Sequence, residues 1–452
     1  MNKRYSMIFT IAAVAALSAT LFGSTYTQTQ LAGTTLDASK MDVDVLQAIR
    51  DMGGLELVMP QAFAAVDCAN IESGRNVVEF NVTGESTELP IMGGKTYHAM
   101  TFSGQVPGPT LRVTQGDVVM MTLTIPADEH TPHGNDMHAS QMSAGNFGKV
   151  LPGSSKTYCY VAEVPGVYKY HCSGVDVAAM DQHVLSGMYG ITIVDPIDGY
   201  KKLMVEKTKV DGGQVVVDRQ FYSPDALEFT LQYNQLYLTD DGGYDMGKMM
   251  KHETSQTVVN GMALGYVPNE THNELIKGDK NMNIFVLQPW NSADLKQYQS
   301  QLLFIEQGQH VRFFIENQGN EPVYWHIVGE IIDRVTQANR VQAQGTETWL
   351  LGGSQNMIAD VVFDEPGVYV AVNHDYAAIF SGAATIFVVG DPFGLNEKLA
   401  VDPPVASYAY LLGNPSDALP PMGMNSIAHP KVNLHGLYTD ARAAEIAAEL
   451  GI

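Results

Sequence analysis

Val, Ile, Thr and Tyr recur along this chain in short alternating runs broken by turn residues. Strand-length runs lie at 77–82, 110–125, 156–161 and 166–171, and a second such region extends over about 209–390. A period of two places alternate side chains on one face of a strand, so these runs predict half-buried β-strands. Two short stretches, 42–52 and 439–450, read instead as helices.

The two strand-rich regions share a repeat. Leu111-Arg-Val-Thr-Gln-Gly116 matches Leu303-Phe-Ile-Glu-Gln-Gly308, and Pro165-Gly-Val-Tyr168 matches Pro366-Gly-Val-Tyr369. The pattern predicts an all-β protein of two tandem Greek-key sandwiches, each with roughly 7–9 short strands. The expected organisation is a leader at 1–25, a linker with a short helical extension at 26–75, sandwiches at 76–196 and 205–391, and a C-terminal tail at 392–452.

Composition adds compartment and partner class. The chain has 452 residues, enough for two or three domains with substantial cores, and 42 glycines and 21 prolines supply turns. Lys3 and Arg4 precede an apolar stretch at 7–22, which reads as a signal peptide or, uncleaved, a membrane anchor. The expected location is therefore outside the cytoplasmic membrane. A net charge of −23 argues against nucleic acid, which requires basic surfaces.

Three cysteines are present: Cys68, Cys159 and Cys172. An odd count leaves one thiol without an intramolecular partner. If Cys172 binds a metal, Cys68 and Cys159 are free to form a disulfide; two separate buried thiols are the alternative.

The chemistry concentrates in His133-Gly-Asn-Asp136-Met-His138, His171-Cys172, His183 and Met188. Two imidazoles, one thiolate and a weak axial thioether form the ligand set of a copper electron-transfer centre. His133, Cys172, His183 and Met188 are therefore the candidate type 1 copper ligands. His171 and Cys172 are adjacent, so on an extended segment they face opposite ways. Asp136 and His138 are two apart and share a face. His138 and His171 are thus left for a second metal, with Asp136 as a further ligand or an acid/base.

These residues resemble a known family, the copper-containing nitrite reductases, which are two-domain cupredoxin enzymes of the multicopper oxidase superfamily. The similarity extends over about 77–390. It rests on Gln105-Val-Pro-Gly-Pro-Thr-Leu111, His133-x2-Asp136-x-His138, Tyr170-His-Cys172, His183-x2-Ser-Gly-Met188, His326-Ile-Val-Gly, Glu347-Thr-Trp349 and Val372-Asn-His374.

The resemblance implies a type 2 copper held by His138, His171 and His374, with His374 supplied across a homotrimer interface. It implies that Asp136 and His326 handle protons, that Val328 shapes the nitrite pocket and that Thr348 orients His326. It also implies an external electron donor, either a small cupredoxin or a cytochrome c. Ten residues separate Cys172 from His183, more than is usual in the family, and Gln182 stands where the family usually has Trp.

Two rival readings are a laccase-like two-domain multicopper oxidase and a non-enzymatic copper electron carrier. The oxidase needs about eight histidines in paired motifs. This chain has 13 histidines but no His-x-His, and its cysteine lies in His171-Cys172-Ser173. The carrier reading leaves Asp136, His138, His326 and His374 without a role.

Overall fold

The computed structural model describes residues 71–91, 95–142, 147–174, 179–263 and 302–390. The expected leader, both expected helices, Cys68 and the C-terminal tail lie outside them.

The first half contains β1 (Val77–Ile91), β2 (Lys95–Phe102), β3 (Leu111–Thr114), β4 (Val118–Thr124), β5 (Asp136–Met137), β6 (Ser155–Val161), β7 (Gly166–His171) and β8 (Tyr189–Asp195). They form two four-stranded sheets, ordered β2-β1-β4-β6 and β3-β8-β7-β5. The run expected over 110–125 is two strands. Gly116 turns the chain at φ +94°, and the Asp117 carboxylate accepts the Thr114 N–H.

The second half opens with a hairpin of β9 (Leu203–Asp211) and β10 (Gln214–Tyr222). There follow β11 (Leu227–Leu236), β12 (Gln256–Val259), β13 (Leu302–Ile305), β14 (His310–Asn317), β15 (Val323–Val328), β16 (Ile332–Gln337), β17 (Arg340–Thr346), β18 (Thr348–Leu351), β19 (Asn356–Val362), β20 (Gly367–Asn373) and β21 (Ala384–Val389). Their sheets are ordered β12-β11-β14-β19-β16-β17 and β13-β21-β20-β15-β18. This half is larger than the expected 7–9 strands because of β16, β17, β18 and the hairpin.

The sequence repeat is a repeat of topology. The order β3-β8-β7-β5 recurs as β13-β21-β20-β15. The parallel pairs β1/β4 and β3/β8 recur as β11/β14 and β13/β21. The matched sequence segments are the edge strands β3 and β13 with their glycine turns, and the starts of β7 and β20.

Each sandwich has its own core. Phe102, Leu123, Tyr160 and Tyr170 fill the first, together with Cys172 and Met188; Phe313, Trp325 and Phe387 fill the second. The halves meet through Val167, Ile191 and Ile193, packed on Phe314 and Ile358.

The Arg112–Glu228 ion pair crosses the same junction and continues into a charge cluster of the second half. Arg112 pairs with Asp195 and Glu228, and Arg312 links Glu228 to Asp360. Asp360 also accepts from Arg334 at 2.7 Å and from His310 at 2.8 Å. Burial alone would raise the Asp360 pKa, but His310, Arg334 and Arg312 outweigh it and hold the carboxyl below its ordinary value. No helix among the described residues is long and apolar enough to cross a membrane.

A depressed carboxyl pKa contributes stability above the unfolded value, about 4, that is lost as pH falls through the folded value. Asp360→Asn should therefore cost about 3–5 kcal/mol near neutral pH, because it leaves buried cations without their counter-charge. It should also flatten the acid limb of the stability curve. Urea denaturation at several pH values measures both; an unchanged acid limb would sink this assignment.

Candidate metal centres

The first cluster forms where β7 runs out. The extended backbone continues one residue past the strand, where the Cys172 N–H donates to the Met188 carbonyl at 3.0 Å. Helix α1 (Met180–Leu185) occupies the long interval after Cys172 and carries His183. The Met188 N–H then returns to the His183 carbonyl at 3.0 Å, closing the loop on itself. His133 arrives from the other side, held by a bridge to Val150.

Three donor atoms converge. His133 Nδ1 and His183 Nδ1 are 3.1 Å apart, and Cys172 Sγ lies 3.2 Å from His183 Nδ1 and 3.7 Å from His133 Nδ1. Met188 is fully buried in the core cluster that contains Cys172. A Cβ on Gly84 would come within 2.9 Å of Met188 Cε and 3.3 Å of His133 Cδ2, so the bare glycine backbone supports both side chains.

Electrostatics favour a cation here. Burial pushes the Cys172 thiol up to about 11 and pulls His133 down to about 4. The backbone N–H groups of Gly134 and Gly174 donate to the sulfur at 3.5 and 3.3 Å and offset part of that burial. A metal ion supplies the positive charge that a buried thiolate lacks. Two imidazoles, a thiolate and a thioether fit copper and suit zinc poorly.

The second cluster lies on the other side of the same segment. Asp136 on β5 is registered opposite His171 on β7, and the His138 N–H donates to the Lys169 carbonyl at 2.9 Å. His138 Nε2 and His171 Nε2 are 3.1 Å apart, with Asp136 Oδ2 at 3.7 Å from His171 Nε2. His171 Nδ1 donates to the Cys172 carbonyl at 2.9 Å, which leaves the Nε2 lone pair free to bind a metal. Burial raises the Asp136 carboxyl to about 6, against the opposing pull of Lys169.

The second half contributes separately. His326 lies on β15 and His374 follows β20, with ring centroids 5.1 Å apart. His326 Nδ1 donates to the Glu347 carbonyl at 2.8 Å, and the Thr348 hydroxyl sits 3.3 Å from the same nitrogen. The main chain of Glu347, a residue of the Glu347-Thr-Trp349 motif to which the sequence assigned no role, is thus the nearer partner. Val328 is 52% exposed on the same strand face as Tyr324 and His326; Leu350 and Tyr376 extend that apolar surface. Among the described residues, the metal-capable groups are His133/Cys172/His183 and Asp136/His138/His171. Within one chain, His326 and His374 do not join either.

The repeat explains why only one half has a thiolate. On the Pro-Gly-Val-Tyr match, Asn373 stands in the place of Cys172. The Asn373 side-chain oxygen accepts the N–H groups of Tyr324 and Asp375, as the Cys172 sulfur accepts those of Gly134 and Gly174. His326 is registered opposite Val372 as Asp136 is opposite His171. The ladder therefore equates His326 with Asp136, whereas the Leu111/Leu303 sequence match puts it beside His133. Loop lengths differ between the halves, so one sequence offset does not hold throughout.

A cysteine flanked by imidazoles inside one of two tandem Greek-key sandwiches marks a two-domain cupredoxin-fold copper protein. Residues 84–198 match the multicopper oxidase family. The chain is 29% identical over 345 residues to a copper-containing nitrite reductase of Rhizobium sullae, covering 75% of this chain and 82% of that one. It is also 29% identical over 342 residues to the copper-containing nitrite reductase of Alcaligenes faecalis. The solved copper nitrite reductase of Nitrosomonas europaea superposes with a TM-score of 0.54 at 28% identity, covering 70% of this chain and 95% of that one. A multicopper oxidase structure at 19% identity, with a TM-score of 0.51, shares the fold. Among cupredoxin proteins, the chain is a relative of the copper-containing nitrite reductases.

Cys159 is disulfide-bonded, and Cys172 is free. Sequence reasoning missed Gly84, whose role has no local motif. Gly84→Ala should press on Ile125 Cδ1 and Met188 Cε, both mobile side-chain ends, and so preserve the fold. The visible absorption of the copper-loaded variant should shift, because Met188 is displaced. A spectrum identical to the parent's would show that Gly84 does not set the position of Met188.

Proposed function

We propose that this chain is a copper-dependent nitrite reductase that converts nitrite, one electron and two protons into nitric oxide and water. The observation that carries the reading is the adjacency of His171 and Cys172. Neighbouring residues of one strand end serve two donor clusters, so the clusters are joined through a single peptide link. Copper bound at both would supply electron storage at the first cluster and a Lewis-acid position for nitrite at the second.

In this reading His133, Cys172, His183 and Met188 hold the type 1 copper. His138 and His171 hold the type 2 copper together with His374 of a neighbouring subunit in a homotrimer. The split of the described residues into two half-sites supports this assembly. His326 and His374 lie on a face where Tyr324, Val328, Leu350 and Tyr376 are exposed. Exposed apolar surface of this kind marks an interface.

The chain's own groups then handle protons and water. Asp136, raised toward about 6, retains a proton closer to neutrality than an ordinary carboxyl and can pass it to a nitrite oxygen. His326 is fixed through Nδ1 by the Glu347 carbonyl and Thr348, which leaves Nε2 for the second proton. Val328 presents a methyl surface that narrows the pocket and excludes water. Electrons come from an external small cupredoxin or cytochrome c, and the protein acts outside the cytoplasm.

Copper-loaded protein given a reduced donor should form nitric oxide from nitrite with two coppers per subunit. Four coppers, with oxygen consumed in place of nitrite, would establish the oxidase reading. His138→Ala should remove the second copper and nitrite turnover but keep the Cys172-dependent absorption; loss of both coppers together would refute two separable sites.

Leu350→Asp places a charge on the exposed apolar face. It should turn a trimeric mass in solution into a monomeric one and lower turnover while leaving the first cluster's spectrum intact. A trimer that persists with full activity would place the interface elsewhere.

A further inference from the structure

A cavity of about 330 Å³ opens at the junction of the two sandwiches, built from the start of β7, the segment after β8, and strands β16, β17 and β19. That volume is at the low end of small-ligand pockets, about 300–1,000 Å³. Its residues belong to neither candidate metal centre.

The wall carries Lys201, Arg334 and Arg340 against a single acidic residue, Asp360. This reverses the bias of a chain whose net charge is −23. Arg334 is buried and committed: it donates to Asp360 at 2.7 and 2.9 Å and to the Lys202 carbonyl at 2.9 Å. Asp360 is in turn occupied by Arg312 and His310. The Lys201 ammonium and the Arg340 guanidinium have no ion-pair or hydrogen-bond partner among the described residues. Both are exposed and available.

The rest of the lining is largely apolar. Val341 is 53% exposed, Ile358 is buried in the junction core, and the Tyr200 ring is held face-on under the Arg312 guanidinium at 3.8 Å. Apolar walls with two free cations suit a ligand with a carbon body and two negative charges. An inorganic anion would satisfy the charges but leave the exposed Val341 side chain in water.

We propose that this cavity is a binding site for a small organic dicarboxylate. Its carboxylates meet Lys201 and Arg340, and its carbon chain packs on Val341 and Tyr200. Charge-assisted hydrogen bonds supply orientation, with Arg340 able to take one carboxylate in bidentate fashion. The inference is independent of the nitrite reading.

Calorimetric titration of the copper-loaded full chain tests it, with glutarate as the dicarboxylate, glutaramide as its uncharged counterpart and inorganic phosphate as the bare anion. Glutarate should bind saturably at one per chain. Glutaramide should not bind, and phosphate should bind at least tenfold more weakly. Lys201→Gln and Arg340→Gln should each weaken glutarate at least tenfold while the copper absorption stays unchanged, which reports an intact fold. Absence of saturable glutarate binding, or undiminished binding in either variant, overturns the proposal. Phosphate binding as tightly as glutarate overturns the assignment to an organic ligand.

Discussion

Consecutive side chains of an extended strand point to opposite sides, and at the end of β7 this geometry governs everything nearby. His171 is directed to one side with Asp136 and His138, and Cys172 to the other with His133 and His183. Neither direction can change without rotating the other, because both belong to one hydrogen-bonded segment registered on β5 and β8. The backbone then tightens the coupling: the Cys172 carbonyl accepts the proton of His171 Nδ1. The residue that supplies sulfur to the first cluster thereby fixes the tautomer of an imidazole in the second. Two donor clusters so joined form one connected unit, and a single-site electron carrier would need only the first.

The second sandwich shows what the same scaffold does without the sulfur. Its Asn373 oxygen occupies the position of the Cys172 sulfur and accepts the corresponding pair of main-chain N–H groups. Those donors are a property of the Greek-key corner, which in both halves needs a buried acceptor. In the first half the Cys172 sulfur, a candidate metal ligand, meets that need; in the second a neutral amide does. His374, one residue further, lies where Ser173 lies in the first half and is directed outward. It ends at the protein surface beside His326.

Much of this was legible in the chain. The alternating runs located β1, β3, β4, β6 and β7, and the Pro-Gly-Val-Tyr repeat located the two equivalent corners. The order His133, Cys172, His183, Met188 identified one cluster, and the parity of 136, 138 and 171 identified the other. What stayed hidden depended on groups with no sequence signature. The Glu347 carbonyl that orients His326 is main chain, so no residue type announces it. Gly84 matters because of side chains that reach it from 49 and 104 positions away. The break within 110–125 was missed although Gln115-Gly116-Asp117, between Val113 and Val118, is itself a turn signal. The register of His326 was misplaced because differing loops shifted one repeat offset against the other.

The junction centred on Asp360 bears on geometry at a larger scale. Arg312 and His310 from β14 and Arg334 from β16 converge on that one carboxylate, while Arg112 and Glu228 tie the first sandwich to the second. Sliding one sandwich over the other would separate Arg112 from Glu228 and pull the buried Lys169 ammonium off the Gln318 carbonyl, 2.6 Å away. The distance from the Asp136 face to the His326 face is accordingly a fixed length of the molecule. If copies of the chain close into a ring by joining these faces, that length works as a gauge. It sets how many copies close the ring and leaves little room for an arrangement in which only some of the junctions form.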